Sequence, residues 1–123
     1  MSTLSPAVHL LFPLVAGETR LVIPLEETVL SAALKPASDR SQRLIVFVHG
    51  AASNASRWEE FVDTTALSQR WTLVRFDLRG HGASPARRPG RLENYADDIA
   101  AVIGAAGAHG HIVVVGHSLG AAA

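Results

Sequence analysis

No cysteine occurs anywhere in the 123 residues, which excludes disulfides, thiolate metal sites and a cysteine nucleophile. An excess of one charge sign is also missing. Lys and Arg (11) balance Asp and Glu (11), so no long-range field draws in nucleic acid or an anionic membrane surface. No apolar run reaches the roughly 18 residues needed to span a bilayer. Residues 7–17 (AVHLLFPLVAG) are apolar enough to suggest a secretory leader. However, no Lys or Arg precedes them and His9 and Pro13 interrupt them, so the expected location is cytoplasmic. Repeats and low-complexity segments are absent too. What is present is an ordinary globular composition, 48% apolar and 18% charged, sufficient for one core. The expectation is a single domain over 1–123, with residues 1–18 as a poorly ordered lead-in.

Residues 19–34 hold two short apolar runs around Glu26 and Glu27, which reads as two strands joined by a turn, with Pro24 favouring a sheet edge. The polar stretch 36–42 (PASDRSQ) is a loop. Three compact runs rich in β-branched residues follow, at 44–48 (LIVFV), 72–76 (TLVRF) and 112–115 (IVVV), and these are expected as buried parallel strands. Between the first two, Ser56 and Glu59 form a capping-box pattern for a helix over 57–69, with Trp58, Phe61, Val62 and Thr65 on one face. Between the second and third, Leu92, Tyr95, Ile99, Val102, Ile103 and Ala106 recur at helical spacing. Glu93, Asp97 and Asp98 lie near the favourable N-terminal end of that helix, and Gly107 is its stop signal. This order predicts an α/β fold: a mostly parallel sheet with helices on both faces.

The chemistry centres on Gly116-His117-Ser118-Leu119-Gly120, which directly follows the last strand. Gly-x-Ser-x-Gly at a strand-to-helix turn holds a serine hydroxyl exposed on a strained backbone, and glycines at 116 and 120 keep neighbouring chain clear of it. Ser118 is therefore the candidate nucleophile. His49-Gly50-Ala51-Ala52 ends the third strand among small side chains, so the Ala51 N–H is a candidate oxyanion donor, with the Leu119 N–H as the second. His49 and Gly50 support that loop. Asp77 and Arg79 follow the fourth strand and are expected to pair and pin its loop, where Gly80 and Gly82 permit a sharp bend. His117 is expected to pack beneath the serine, and His109 and His111 to be turn residues. A metal site on Asp77 and His81 lacks both ligand spacing and a second histidine, so no metal is expected.

These residues resemble the α/β-hydrolase fold superfamily: His-Gly after strand three, Asp-x-Arg-Gly-x-Gly-x-Ser (77–84) after strand four and Gly-x-Ser-x-Gly after strand five, in that order. The resemblance covers about residues 20–123. It implies an esterase-like serine hydrolase acting on an ester, lactone or related carbonyl bond of a small molecule, without a cofactor. Serine at 118 argues against the epoxide-hydrolase and haloalkane-dehalogenase branches, which use a carboxylate nucleophile. In this family the triad acid and histidine follow the serine, whereas every Asp, Glu and His here precedes or adjoins Ser118. The expectation is thus an incomplete domain, ending just after its nucleophile, inactive and aggregation-prone by itself. The alternative is a truncated or non-catalytic binding protein on the same scaffold. Nucleotide binding lacks any Gly-Lys-Ser/Thr or Gly-x-Gly-x-x-Gly after a strand.

Overall fold

The computed structural model describes residues 12–26, 28–50, 54–79, 92–107 and 109–117. Five strands form one sheet: β1 (Thr19–Pro24), β2 (Val29–Lys35), β3 (Arg43–Val48), β4 (Thr72–Phe76) and β5 (His111–Gly116), in spatial order β1-β2-β4-β3-β5. The sheet is mixed. β1 and β2 form an antiparallel pair, closed by a Leu25 N–H to Thr28 carbonyl bond, and β2 joins β4 antiparallel. β3 runs parallel to both β4 and β5. Pro24, which has no N–H for a ladder, ends the edge strand β1, as its chemistry demands.

Side chains alternate across a strand, and β3 uses that alternation to serve two layers. Leu44, Val46 and Val48 join Leu30, Ala32, Val74 and Phe76 on one face. There they meet Tyr95, Ile99 and Val102 of the helix Leu92–Ala105 (called α2 below). Ile45 and Phe47 face the other way, with Leu73, Val62 and the half-buried Trp58. Helical segments therefore cover both faces, and β3, with every residue from Leu44 to Val48 buried, is the centre of the core. Gly107 ends α2 with φ +98°, a left-handed conformation that a side chain resists.

The segment between β3 and β4 departs from the single helix expected over 57–69. It forms a 3-10 turn (Ala55–Trp58), a short α1 (Glu59–Thr64) and a second 3-10 turn (Ala66–Gln69). The break is at Thr65, whose backbone is extended and whose hydroxyl accepts from the Leu67 N–H at 3.2 Å. A β-branched residue whose hydroxyl competes for local donors favours a cap over a helix interior. The cap at the start also differs. Asn54, not Ser56, supplies the acceptor, its Oδ1 taking the Ser56 N–H at 2.9 Å. Glu59 turns instead toward Arg75, with 4.0 Å between Oε2 and Nη1.

Residues 12–18 of the lead-in are tied to the sheet. Phe12 is buried beneath the guanidinium groups of Arg75 and Arg20, 4.7 and 5.2 Å from its ring centre, and Arg20 donates to its carbonyl at 2.5 Å. Gly17, at φ +85°, makes the turn that brings Glu18 back to the Val15 N–H.

β5 is the least covered strand. Ile112, Val113 and Val114 are 42–46% exposed although consecutive residues point to opposite faces, so neither face is covered there.

Leu44→Ala, in the fully buried centre of β3, is expected to cost about 2–5 kcal/mol in urea unfolding. Val22→Ala, on the exposed side of β1, is expected to stay under about 1 kcal/mol. Equal losses would remove β3 from the centre of the core.

Candidate active site

In α/β sheets, ligands bind beyond the carboxyl ends of parallel strands, where loops converge. The register brings three such ends together: Val48 of β3 lies opposite Phe76 of β4 and Gly116 of β5. His49, Asp77 and His117 therefore leave the sheet along one edge, and the His117 N–H continues the ladder by donating to the Val48 carbonyl at 3.1 Å.

His49 is fully buried, with both ring nitrogens used. Nδ1 lies 2.7 Å from the Gly50 carbonyl and Nε2 is 3.0 Å from the Leu78 N–H. Since an N–H can only donate, Nε2 must accept, which fixes the neutral ring with its proton on Nδ1. The imidazole thus ties the exit of β3 to the exit of β4.

Asp77 and Arg79 take different partners from the mutual pair expected. Asp77 Oδ1 accepts from the Ala55 N–H at 2.5 Å. Arg79 turns to Asp98 of α2, donating from Nε (2.9 Å) and Nη2 (2.6 Å) to Oδ1, while its backbone N–H donates to Oδ2 at 3.1 Å. A carboxylate on a neighbouring helix here accepts from two N–H groups on one edge of the guanidinium and from the backbone at once, which ties the loop to that helix. Asp98 is fully buried, with both carboxylate oxygens engaged by Arg79.

His117 was expected beneath the serine but is exposed, with Nε2 2.9 Å from Nη2 of Arg57. A guanidinium can only donate, so this contact uses the neutral imidazole. A cation therefore stands beside the residue that precedes Ser118. Gly50 is buried, and Gly116 ends β5. Ser118, Leu119 and Gly120, together with Ala51 and His81, lie outside the described residues. His109 lies in the turn before β5, its Nδ1 2.9 Å from the Gly107 carbonyl, and His111 opens the strand itself.

Several groups at this edge went unread in the sequence: Glu18, Asn54, Arg57 and Arg75. Of these Arg75 carried a signal, and so did the burial of Asp98. Arg75 is the one charge in an otherwise apolar strand, and Asp98 stands three residues from Tyr95 and four from Val102, on the buried stripe of its helix. Among the described residues, no group of three His, Asp or Glu side chains could hold a metal ion, and no helix is long and apolar enough to cross a membrane.

Residues 45–123 match the model of the alpha/beta hydrolase family. The chain is 46% identical over 79 residues to 2-(acetamidomethylene)succinate hydrolase from Mesorhizobium japonicum, a match covering 63% of this chain and 27% of that one. It is 37% identical over 82 residues to the bifunctional esterase/perhydrolase DCH from Acinetobacter calcoaceticus, covering 66% and 29%. A crystal structure of E-2-(acetamidomethylene)succinate hydrolase superposes with a TM-score of 0.70 at 36% identity, covering 85% of this chain and 37% of that one. The chain thus spans about a quarter to two-fifths of the length of these hydrolases. Because the family model matches well over half of its length, this chain belongs to the alpha/beta hydrolase family.

Proposed function

We propose that this chain carries the nucleophile and oxyanion site of a serine hydrolase acting on an ester, lactone or related carbonyl bond of a small molecule. The observation that carries the reading is the register of β5 on β3. It brings Gly116 and His117, the two residues before Ser118 in the sequence, to the sheet edge beside His49-Gly50, the two residues before Ala51. Ser118 Oγ attacks the carbonyl carbon as a base accepts its proton, giving a tetrahedral oxyanion held by the backbone N–H groups of Ala51 and Leu119. Collapse expels the alcohol, and water then releases the acyl group as an acid and restores the serine. No residue of this chain is assigned as the base.

His49, Gly50, Asp77 and Arg79 hold the loops around this centre, and Gly116 and Gly120 give the serine its turn. The printed activities of the relatives, a hydrolase of a substituted succinate and an esterase/perhydrolase, favour small carbonyl substrates. The cysteine-free composition and the leader-like stretch interrupted at His9 and Pro13 favour a cytoplasmic location.

A fluorophosphonate applied to the full-length protein is expected to label Ser118, located by peptide mass spectrometry. Ser118→Ala is expected to lower kcat on p-nitrophenyl acetate by at least about 10³-fold. A folded full-length protein that takes no label would overturn the hydrolase reading in favour of a binding protein on the same scaffold. Ala51→Pro removes one donor N–H and is expected to lower kcat about 10²- to 10³-fold. An unchanged kcat would place the oxyanion donor elsewhere.

A further inference from the structure

Arg20, Ala33 and Arg75 are register partners across β1, β2 and β4, so their side chains rise from one face of the sheet in a single row. An alanine between two arginines leaves a slot, and the Phe12 ring fills it. Phe12, Ala33 and Ala55 form one buried cluster, with the guanidinium carbons of Arg20 and Arg75 5.2 and 4.7 Å from the ring centre. Further along the lead-in, Glu18 enters the same face. Its two carboxylate oxygens accept from Nε and Nη2 of Arg75 at 2.8 and 2.7 Å, with both side chains fully buried, and the Pro13 carbonyl also accepts from Nη2 at 2.8 Å. Between these anchors Val15 packs against the layer of Ile45, Phe47 and Val62. Its N–H donates to Glu18 Oε1 at 2.8 Å and its carbonyl accepts from the Glu18 N–H at 3.1 Å, which closes the turn at Gly17.

We propose that residues 12–18 are a permanent strap of the mature protein: the apolar stretch over 7–17, leader-like in composition, is retained because it covers and pairs the Arg75 guanidinium. A secretory leader is cut away at its carboxyl end. A cut at Ala16 or Gly17 would remove the Phe12 ring, the Pro13 carbonyl and the Val15 N–H together. It would leave a cation in the middle of β4 with its aromatic cover gone and its carboxylate partner unsupported. Uncompensated charge at such a position costs several kcal/mol, which a segment destined for removal has no reason to prevent. Phe12 and Glu18 bear on the same guanidinium, so the strap holds or lifts as one unit.

The first test is peptide mass spectrometry of the protein as its native source makes it. Residues 12–18 are expected at its amino end or within it, and a mature chain starting at Pro13 or later overturns the proposal. The second is hydrogen exchange of the full-length protein over a peptide containing residues 13–18. Slow exchange is expected, and Phe12→Ala is expected to speed it about tenfold or more while β3 stays protected. Fast exchange before any substitution, or none gained in Phe12→Ala, overturns the strap. The third reads the charge. Glu18→Gln is expected to lower the melting temperature by about 5 °C or more, and Arg75→Met added to it to recover at least half of that loss, because an apolar side chain needs no partner. Should Glu18→Gln fail to fold, recovery of folding in the double variant reads the same effect. A double variant no better than Glu18→Gln overturns the guanidinium as the reason for retention.

Discussion

A guanidinium sealed from water must find acceptors for its N–H groups or lose several kcal/mol, and Arg75 meets that demand with a carboxylate and a carbonyl of the lead-in and a carbonyl from the segment after β3. Removing one partner of such a buried pair typically costs about 3–5 kcal/mol. The surroundings are arranged accordingly. The turn at Gly17 exists to present Glu18, Phe12 lies under the guanidinium plane, and Glu59 leaves its helix start to approach the same charge. One cation in the middle of β4 thus decides how the lead-in, the sheet and the segment after β3 meet.

The same logic runs along the carboxyl edge of the sheet. His49, Asp77 and Arg79 have neighbouring positions in sequence motifs, yet each reaches across to another element: β3 to β4, β4 to the 3-10 turn, β4 to α2. Short polar side chains that use both of their ends fix loops without needing apolar volume. An edge meant to stay open to a ligand cannot be rigidified by packing a core there.

What the sequence disclosed followed from local rules. β-branched runs, helical spacing from Leu92 to Ala106 and the proline at an edge all depend on neighbours within a few residues. The three motifs located the edge for the same reason. What stayed hidden was the choice of partner. Arg75 stood out as a charge in an apolar strand, but nothing near it pointed to a glutamate 57 residues earlier. Asp98 sat on the buried stripe of its helix, but its position near the favourable N-terminal end already accounted for its charge without naming a partner. Thr65 broke a helix because its hydroxyl found a local donor, a competition too close to be decided by propensity. The exposed His117 depended on Arg57, which meets it only after the sheet has formed.

The pairing of β5 with β3 also governs time. Arg43 and His111 are register partners, but β4 and α2 lie between them in the chain, so this ladder closes a long loop before it gains a single hydrogen bond. The antiparallel hairpin of β1 and β2 pays almost none of that entropy and can form early. Assembly of this edge of the sheet therefore falls late on the folding path. Until then β3 offers an apolar flank with an unpaired backbone, the kind of intermediate that chaperones bind and that concentrated refolding loses to aggregation.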